Sequence, residues 1–459
     1  MLLNAQQVYL LFQRLGFGAD YPTIKSNIGK TAEAIFYQYA AFDAPLQLSF
    51  EPIALSEMQS LSEEEKEALK KTARQGVIDL NLLWLEKMSA SKAPFREKMA
   101  LFWHGHFACE DKNPVFVQNY CNVLRENAFG NFRDLVFYIA KDAAMLRYLN
   151  NQQNRKKQPN ENFARELMEL FTLGRGNYTE KDVQEAARGF TGWSFEPGTG
   201  DFIKRENLHD NNEKVFFDKH GNLDGDDIIN TILDKKECAY FIAKKFLKYF
   251  LSEHPDPTLV SEYGAELFNN GYDMEKLTLK LISSEVFYRK ENRFQKIKSP
   301  IELIAQINRL IPITYDQPKI QLAVQRGLGQ ILFHPPNVAG WKGGNNWIDS
   351  STMTFRFYLP QFLWGTQIAN FSSKESGDDN DPFQLSDLSQ NKATPDWDAF
   401  AKNIAANDKI GIIREISEWF LGYPIDPQKI SFFITASDKK SICQSVAERI
   451  IQLPEFQLS

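Results

Sequence analysis

Residues 62–90, SEEEKEALKKTARQGVIDLNLLWLEKMSA, contain no proline and carry a complete helix-start signal. Ser62 is placed to cap a helix, and Glu65 stands three residues on to close a capping box. Val77, Leu80, Leu83, Leu85 and Met88 then recur at helical spacing. A helix of that length has to lay its apolar stripe against other helices, and the same period returns over 94–107, 121–128, 131–149 and 228–252. Alternating strand patterns are rare. The expectation is a mainly α fold: one large multi-helix domain with a few short strands in the irregular 194–217 region. Ile203 and Val215–Phe217 are the candidates for a short hairpin there.

Residues 1–371 read as the main helical domain. The acidic, Ser-rich stretch 372–394 reads as a flexible connection. Residues 395–459 read as a C-terminal helical segment able to pack back on the main domain. An internal echo runs through both parts. Phe250-Leu251 is followed by Pro255-Asp256-Pro257 and, after a helical pattern, Glu285-Val286-Phe287. Phe420-Leu421 is followed by Pro424-Ile425-Asp426-Pro427 and Pro454-Glu455-Phe456. Two helix–loop–helix units of one design and a coincidence of helical sequence both account for it.

Composition excludes several classes. With 459 residues, 43% hydrophobic and 36 of them Phe, the chain buries a sizeable, aromatic-rich core. A net charge of -6 argues against a nucleic-acid partner. Cys109, Cys121, Cys238 and Cys443 form no CxxC pair and read as reduced core thiols. No apolar run reaches the length of a membrane helix, so no membrane insertion is expected. The start, MLLNAQQVYLLFQRLGFGAD, shows no leader, which reads as cytoplasmic as it stands; a trimmed leader would leave the same start on a periplasmic or exported protein.

The densest polar chemistry lies in Pro159–Trp193, PNENFARELMELFTLGRGNYTEKDVQEAARGFTGW. Asn160 is a candidate cap and Glu161 suits the positive end of a helix dipole. Phe163, Leu167 and Leu170 mark an apolar face. Asn162, Glu166 and Glu169 share a second, and Glu161, Arg165 and Glu169 a third. Gly174 and Gly176 stop the helix. Thr179 with Asp182 predicts a capping box for a second helix that Gly192 ends. Two readings compete. In one, Glu161–Arg165 and Glu185–Arg188 are helix-surface ion pairs. In the other, Glu166 and Glu169 line a pocket as acid/base or metal-ligand carboxylates, with Arg165 or Arg188 as an anion clamp.

Three further clusters add candidates. Phe102-Trp103-His104-Gly105-His106-Phe107 places two histidines on opposite sides of an unbroken helix, so one is expected inward and one outward. His106 is the candidate metal ligand or base. His209-Asp210, with Lys214 nearby, offers two more metal ligands and a binding cation in irregular chain. The following Asn222–Asp227 fails the EF-hand pattern and predicts an Asp-capped helix starting near Ile228. In Leu328–Arg356, Gly340, Gly343 and Gly344 let the backbone pass close to something, and Trp341 and Trp347 either plug the core or form a stacking platform for a sugar. The chain has no GxxxxGK[ST], GxSxG, HExxH or strand-linked GxGxxG, which disfavours the common nucleotide, serine-hydrolase and zincin classes.

On these residues the chain resembles the bacterial domain-of-unknown-function-1800 family. The likeness runs through QRLGFG at 13–18, FWHGHF at 102–107 and the 159–193 block. It continues through His209-Asp210, Lys214, GNLDGDD at 221–227, Lys298-Ser299-Pro300-Ile301-Glu302, LGQILFHPPNVAGW at 328–341 and LPEFQ at 453–457. The resemblance implies an uncharacterised helical protein tied to a second uncharacterised family related to sulfatases, with an export signal in many members. Many relatives read His-Thr-Leu-Gly where this chain has Phe171-Thr172-Leu173-Gly174, so a role that needs histidine at 171 is absent here. Two functions are carried forward. One is a scaffold or binding protein acting with a companion hydrolase-like protein or a glycan. The other is a metal-dependent or acid/base hydrolase in which His106, His209 and Asp210, with a divalent metal as cofactor, converge on Glu166 and Glu169.

Overall fold

The computed structural model describes residues 1–48, 61–364 and 393–459. It is mainly α, with three two-stranded antiparallel sheets among the described residues. Ser62 caps the Glu63–Ala90 helix and Glu65 reaches back to the Ser62 N–H at 2.7 Å. A second long helix, Pro94–His106, begins with proline at its first position, where no intrahelical donor is lost. The helix expected over 121–128 starts earlier, at Pro114, because Asn113 caps it through the Val115 N–H and Pro114 again sits in the first turn. Two expected spans divide. Residues 131–149 form Phe132–Ala140 and Ala143–Tyr148, with Asp142 capping the second. Residues 228–252 belong to Gly225–Leu233 and Lys236–Phe250. The first of these starts three residues before Ile228, since Asp224 takes the Asp226 and Asp227 N–H groups.

Ile203 and Val215 do not pair with each other. Trp193–Phe195 pairs with Phe202–Lys204, and Lys214–Phe216 with Lys219–Gly221. Each hairpin closes over a few residues, which loses less chain entropy than a longer closure between them. The third pair, Ile313–Tyr315 with Ala393–Pro395, joins the C-terminal segment to the body.

The apolar side chains of the described residues form two cores. One gathers residues from the first 288 positions, including Phe12, Trp103, Phe132, Phe190, Ile242 and Phe246. The other joins Trp84, Leu101, Ile304 and Leu359 to Phe400, Ile416, Val446 and Phe456. Residues 395–459 thus share a core with the Pro300–Leu310 and Ser350–Leu363 helices, and the Trp419 indole donates to the Ala19 carbonyl at 3.0 Å. Of the expected connection, 372–392 lies outside the described residues. The echo falls on matching element orders. Lys236–Phe250, Pro257–Asn269, Met274–Ser283 and a 3-10 turn at Glu285–Tyr288 correspond to Lys409–Leu421, Gln428–Ser431, Lys439–Ile451 and a 3-10 turn at Pro454–Gln457. The middle helices differ, 13 residues against 4. All four cysteines are free and buried. Among the described residues, no helix is long and apolar enough to cross a membrane.

The Pro94–His106 helix lies between the cores. It gives Phe95, Met99, Phe102 and Trp103 to the first and Ala100 and Leu101 to the second. Its Glu97 is fully buried and accepts from Arg125 at 2.7 and 2.9 Å and from the Trp84 indole at 2.9 Å. Removing one partner of such a pair strands the other charge, at about 3–5 kcal/mol. Glu97→Ala is expected to lower stability by that amount in urea unfolding. The double change Glu97→Leu, Arg125→Met should recover most of it.

Candidate functional site

The 159–193 block folds as two helices around a glycine turn, with one departure. Asn160 accepts from the Asn162 N–H at 3.0 Å, and an α-helix runs over Asn162–Glu166. The chain then widens into a π turn, Leu167–Thr172, a local insertion that simple periodicity does not register. Two carbonyls at the end of this turn are held by side chains from elsewhere. Lys245 donates to Leu170 at 2.9 Å, and His106 Nε2 pairs with Phe171 at 3.0 Å. Gly174 follows with φ 77°, where a Cβ would stand 2.9 Å from the Phe241 ring. Thr179 and Asp182 form the expected capping box of the Glu180–Gly189 helix.

The carboxylates separate into different roles. Arg165 grips Glu180 at 2.8 and 2.7 Å and Glu161 at 3.0 Å. Glu169 accepts from Arg175 at 2.6 Å and from the Tyr178 hydroxyl at 2.8 Å. The Arg175 hydrogen bond, followed by that of Tyr178, holds the Glu169 carboxyl below its usual range. Glu166 has no hydrogen-bond partner among the described residues, and burial, then the neighbouring Glu169 charge, pushes its carboxyl up. The pair is therefore one committed carboxylate and one uncommitted one.

Both histidines of the FWHGHF segment are buried, which overturns the expectation of one inward and one outward. The helix is unbroken through Gly105, so the rings do point to opposite sides, and each side meets a core. His104 Nε2 accepts from the Phe333 N–H at 3.1 Å, and burial pushes its pKa down to about 3. His106 Nδ1 lies 3.0 Å from the Lys245 ammonium. With Lys245 donating to Nδ1, the ring proton stands on Nε2 and faces Phe171. Burial, and then the Lys245 charge, holds His106 well below its ordinary pKa. Lys245 is itself pushed down to about 8 by burial.

His209, Asp210, Lys214 and Arg188 form a clamp. His209 Nδ1 pairs with the Thr191 carbonyl at 2.8 Å. Asp210 takes Arg188 Nε at 2.8 Å and the Asn212 N–H at 2.9 Å. Arg188 also holds Glu185 at 2.9 Å, and Glu185 in turn accepts from the Val215 N–H at 2.9 Å. Lys214 donates to the Asp210 carbonyl at 2.5 Å and the Asn212 carbonyl at 3.2 Å. These bonds fasten the 209–215 loop onto the Glu180–Gly189 helix. His106 belongs to a separate group of contacts, and its nitrogens face a carbonyl and a cation. The proposed metal ligands do not make a donor set, and among the described residues no group of three or more His, Cys, Asp or Glu could hold a metal ion.

The tryptophans belong to a loop laid across the end of the Pro94–His106 helix. Trp341 packs on His104 with ring centres 5.4 Å apart, and Trp347 is buried. Gly340, at φ 71°, brings the loop so close that a Cβ would lie 2.6 Å from the Gly105 carbonyl.

Beside the π turn an open groove of about 490 Å³ is lined by Gly174, Arg175 and Asn177 on one side and by Lys236, Glu237, Tyr240, Phe241 and Lys244 on the other. The reading of carboxylates and histidines passed over this wall, although Lys236, Tyr240 and Lys244 stand at i, i+4, i+8 and form one ridge of a helix. Lys245, the contact of His106, was missed with it.

A helical protein whose central motif walls an open groove edged by lysines, an arginine and one glutamate is the class these features define. A family model described as protein of unknown function (DUF1800) matches residues 10–458. The chain belongs to that family, and its central motif, FWHGHF segment and 328–341 loop all lie within the matched span. No curated protein and no solved structure matches the chain.

Because the Glu166 pKa is raised in the folded chain, its contribution favours folding at low pH and is lost as pH rises through the carboxyl range. Glu166→Gln should therefore raise Tm at pH 7, where the charge opposes folding, and leave it unchanged near pH 4. A thermal-melt series over that range checks this; a drop at pH 7 would reveal a stabilising role for the charge.

Proposed function

We propose that the chain is a binding protein whose groove holds an acidic glycan. The observation that supports it is the Lys236–Tyr240–Lys244 ridge facing Arg175 and Asn177 across the groove, with Phe241 beside it. Sugar rings present C–H faces that lie flat on aromatic side chains. Carboxylate or sulfate substituents suit lysine and arginine at the rim, where each charge stays partly hydrated and screened. Glu169 is held by Arg175 and Tyr178, and Arg165 by Glu180 and Glu161, so most charged candidates of the motif build the wall. A companion hydrolase-like protein that cuts the held glycan is the partner this reading calls for.

Titration calorimetry with dextran sulfate, polygalacturonate and neutral dextran tests it. At least one acidic polymer should bind and neutral dextran should not. Tyr240→Ala and Lys244→Glu should each weaken binding about tenfold, equal to about 1.4 kcal/mol. Binding untouched by Tyr240→Ala would reduce the groove to a patch of charge, and no binding by either acidic polymer would remove the proposal.

A hydrolytic reading rests on Glu166 alone, the uncommitted carboxyl with a raised pKa near Arg175. It requires new reducing ends when the same acidic polymers are incubated with the protein, and their loss in Glu166→Gln.

A further inference from the structure

At the C-terminal end of the helix that walls the groove, five basic side chains are buried around Glu302. Arg14, Lys98, Lys296, Lys298 and Arg356 are each no more than 5% exposed, and Glu302 among them is 5% exposed. They come from separated parts of the chain: the first helix, the helix between the cores, the 296–298 segment and the Ser350–Leu363 helix. Glu302 is fully engaged. Its Oε1 takes Lys98 at 2.5 Å and its Oε2 takes the Ser299 N–H at 2.6 Å. Burial opposes its charge, yet Lys98 and Lys296 hold its pKa down to about 2. Glu302 offsets one positive charge, and Glu253 lies near enough to favour the charged forms of Arg14 and Lys296.

The remaining bonds of these cations go to neutral carbonyls. Lys98 donates to Gly16 at 2.8 Å, Lys298 to Phe456 at 2.6 Å, Lys296 to Tyr249, and Arg14 to Leu251 and Asn292. Arg356 uses only Nη2, on the Lys298 carbonyl at 2.9 Å. Its Nε and Nη1, the Arg14 Nε and the Tyr249 hydroxyl are buried without a partner among the described residues. Buried charge left unmatched is among the most unfavourable arrangements a fold can hold. Burial pushes Lys296 down to about 7 and Lys298 well below its ordinary pKa, while the two guanidinium groups, at about 10, stay charged at neutral pH.

We propose that Arg14, Lys98, Lys296, Lys298 and Arg356 form a buried site for one small tetrahedral oxyanion, phosphate or sulfate. Such an ion spreads its charge over several oxygens and accepts from a guanidinium edge and ammonium groups together. The site is independent of the groove and of any glycan.

The test uses the full chain. Extensively desalted protein is denatured and the released anions are measured by ion chromatography; in parallel, Tm is followed against phosphate, sulfate and chloride at equal ionic strength. One equivalent of phosphate or sulfate released, or a saturating Tm rise with either oxyanion that chloride does not produce, supports the site, and the more effective oxyanion names the ligand. Lys298→Met, checked for folding by circular dichroism, should lose the bound ion or weaken the saturating response at least about tenfold. An undiminished response in folded Lys298→Met overturns the assignment. Should that variant fail to fold, the wild-type result decides alone: neither a released oxyanion nor an oxyanion-specific shift overturns it.

Discussion

A helix covered on nearly every side has no water to turn its polar groups toward, and Pro94–His106 is such a helix. Only Arg96 and Gly105 escape full burial. Each polar side chain on it therefore selects a partner from another element. Glu97 requires Arg125 and Trp84, Lys98 requires Glu302, His104 receives the Phe333 N–H, and His106 meets Phe171 and Lys245. Misplacing any of these elements would leave a buried group unsatisfied, at about 1–3 kcal/mol or more for a charge. The two apolar cores provide the bulk of the burial, while these contacts set how the cores sit against each other.

Features made within a few residues were legible in the sequence. The Ser62–Glu65 and Thr179–Asp182 boxes and the Glu161–Arg165 and Glu185–Arg188 pairs stand as read, because each is a hydrogen bond or ion pair across one helical turn. The DUF1800 likeness was likewise written along the chain, and the family match spans 10–458. Features that depend on distant partners were not legible. The π turn is sustained by Lys245, 75 residues from Leu170, and the burial of both histidines depends on two cores that no local pattern displays. The excess of buried cations was hidden for the same reason, since a lysine on the exterior and a lysine in a core are the same letter.

The central block changes meaning accordingly. Its arginines and most of its acids brace two helices, and its glycine turn forms one side of the groove. The histidine–aspartate pair proposed for a metal instead fastens a loop. The chemistry left uncommitted is the Glu166 carboxyl on one side and the ridge of Lys236, Tyr240 and Lys244 on the other.

Lys244 and Lys245 follow each other in sequence and differ in kind. Lys244 is exposed at the groove, where it offers charge. Lys245 turns inward to His106 and Leu170, and burial brings its pKa down to about 8, so it loses its proton more readily than an ordinary lysine. A small acylating reagent would meet two amines one residue apart, one open at the groove and one held inside the protein by His106 and the Leu170 carbonyl.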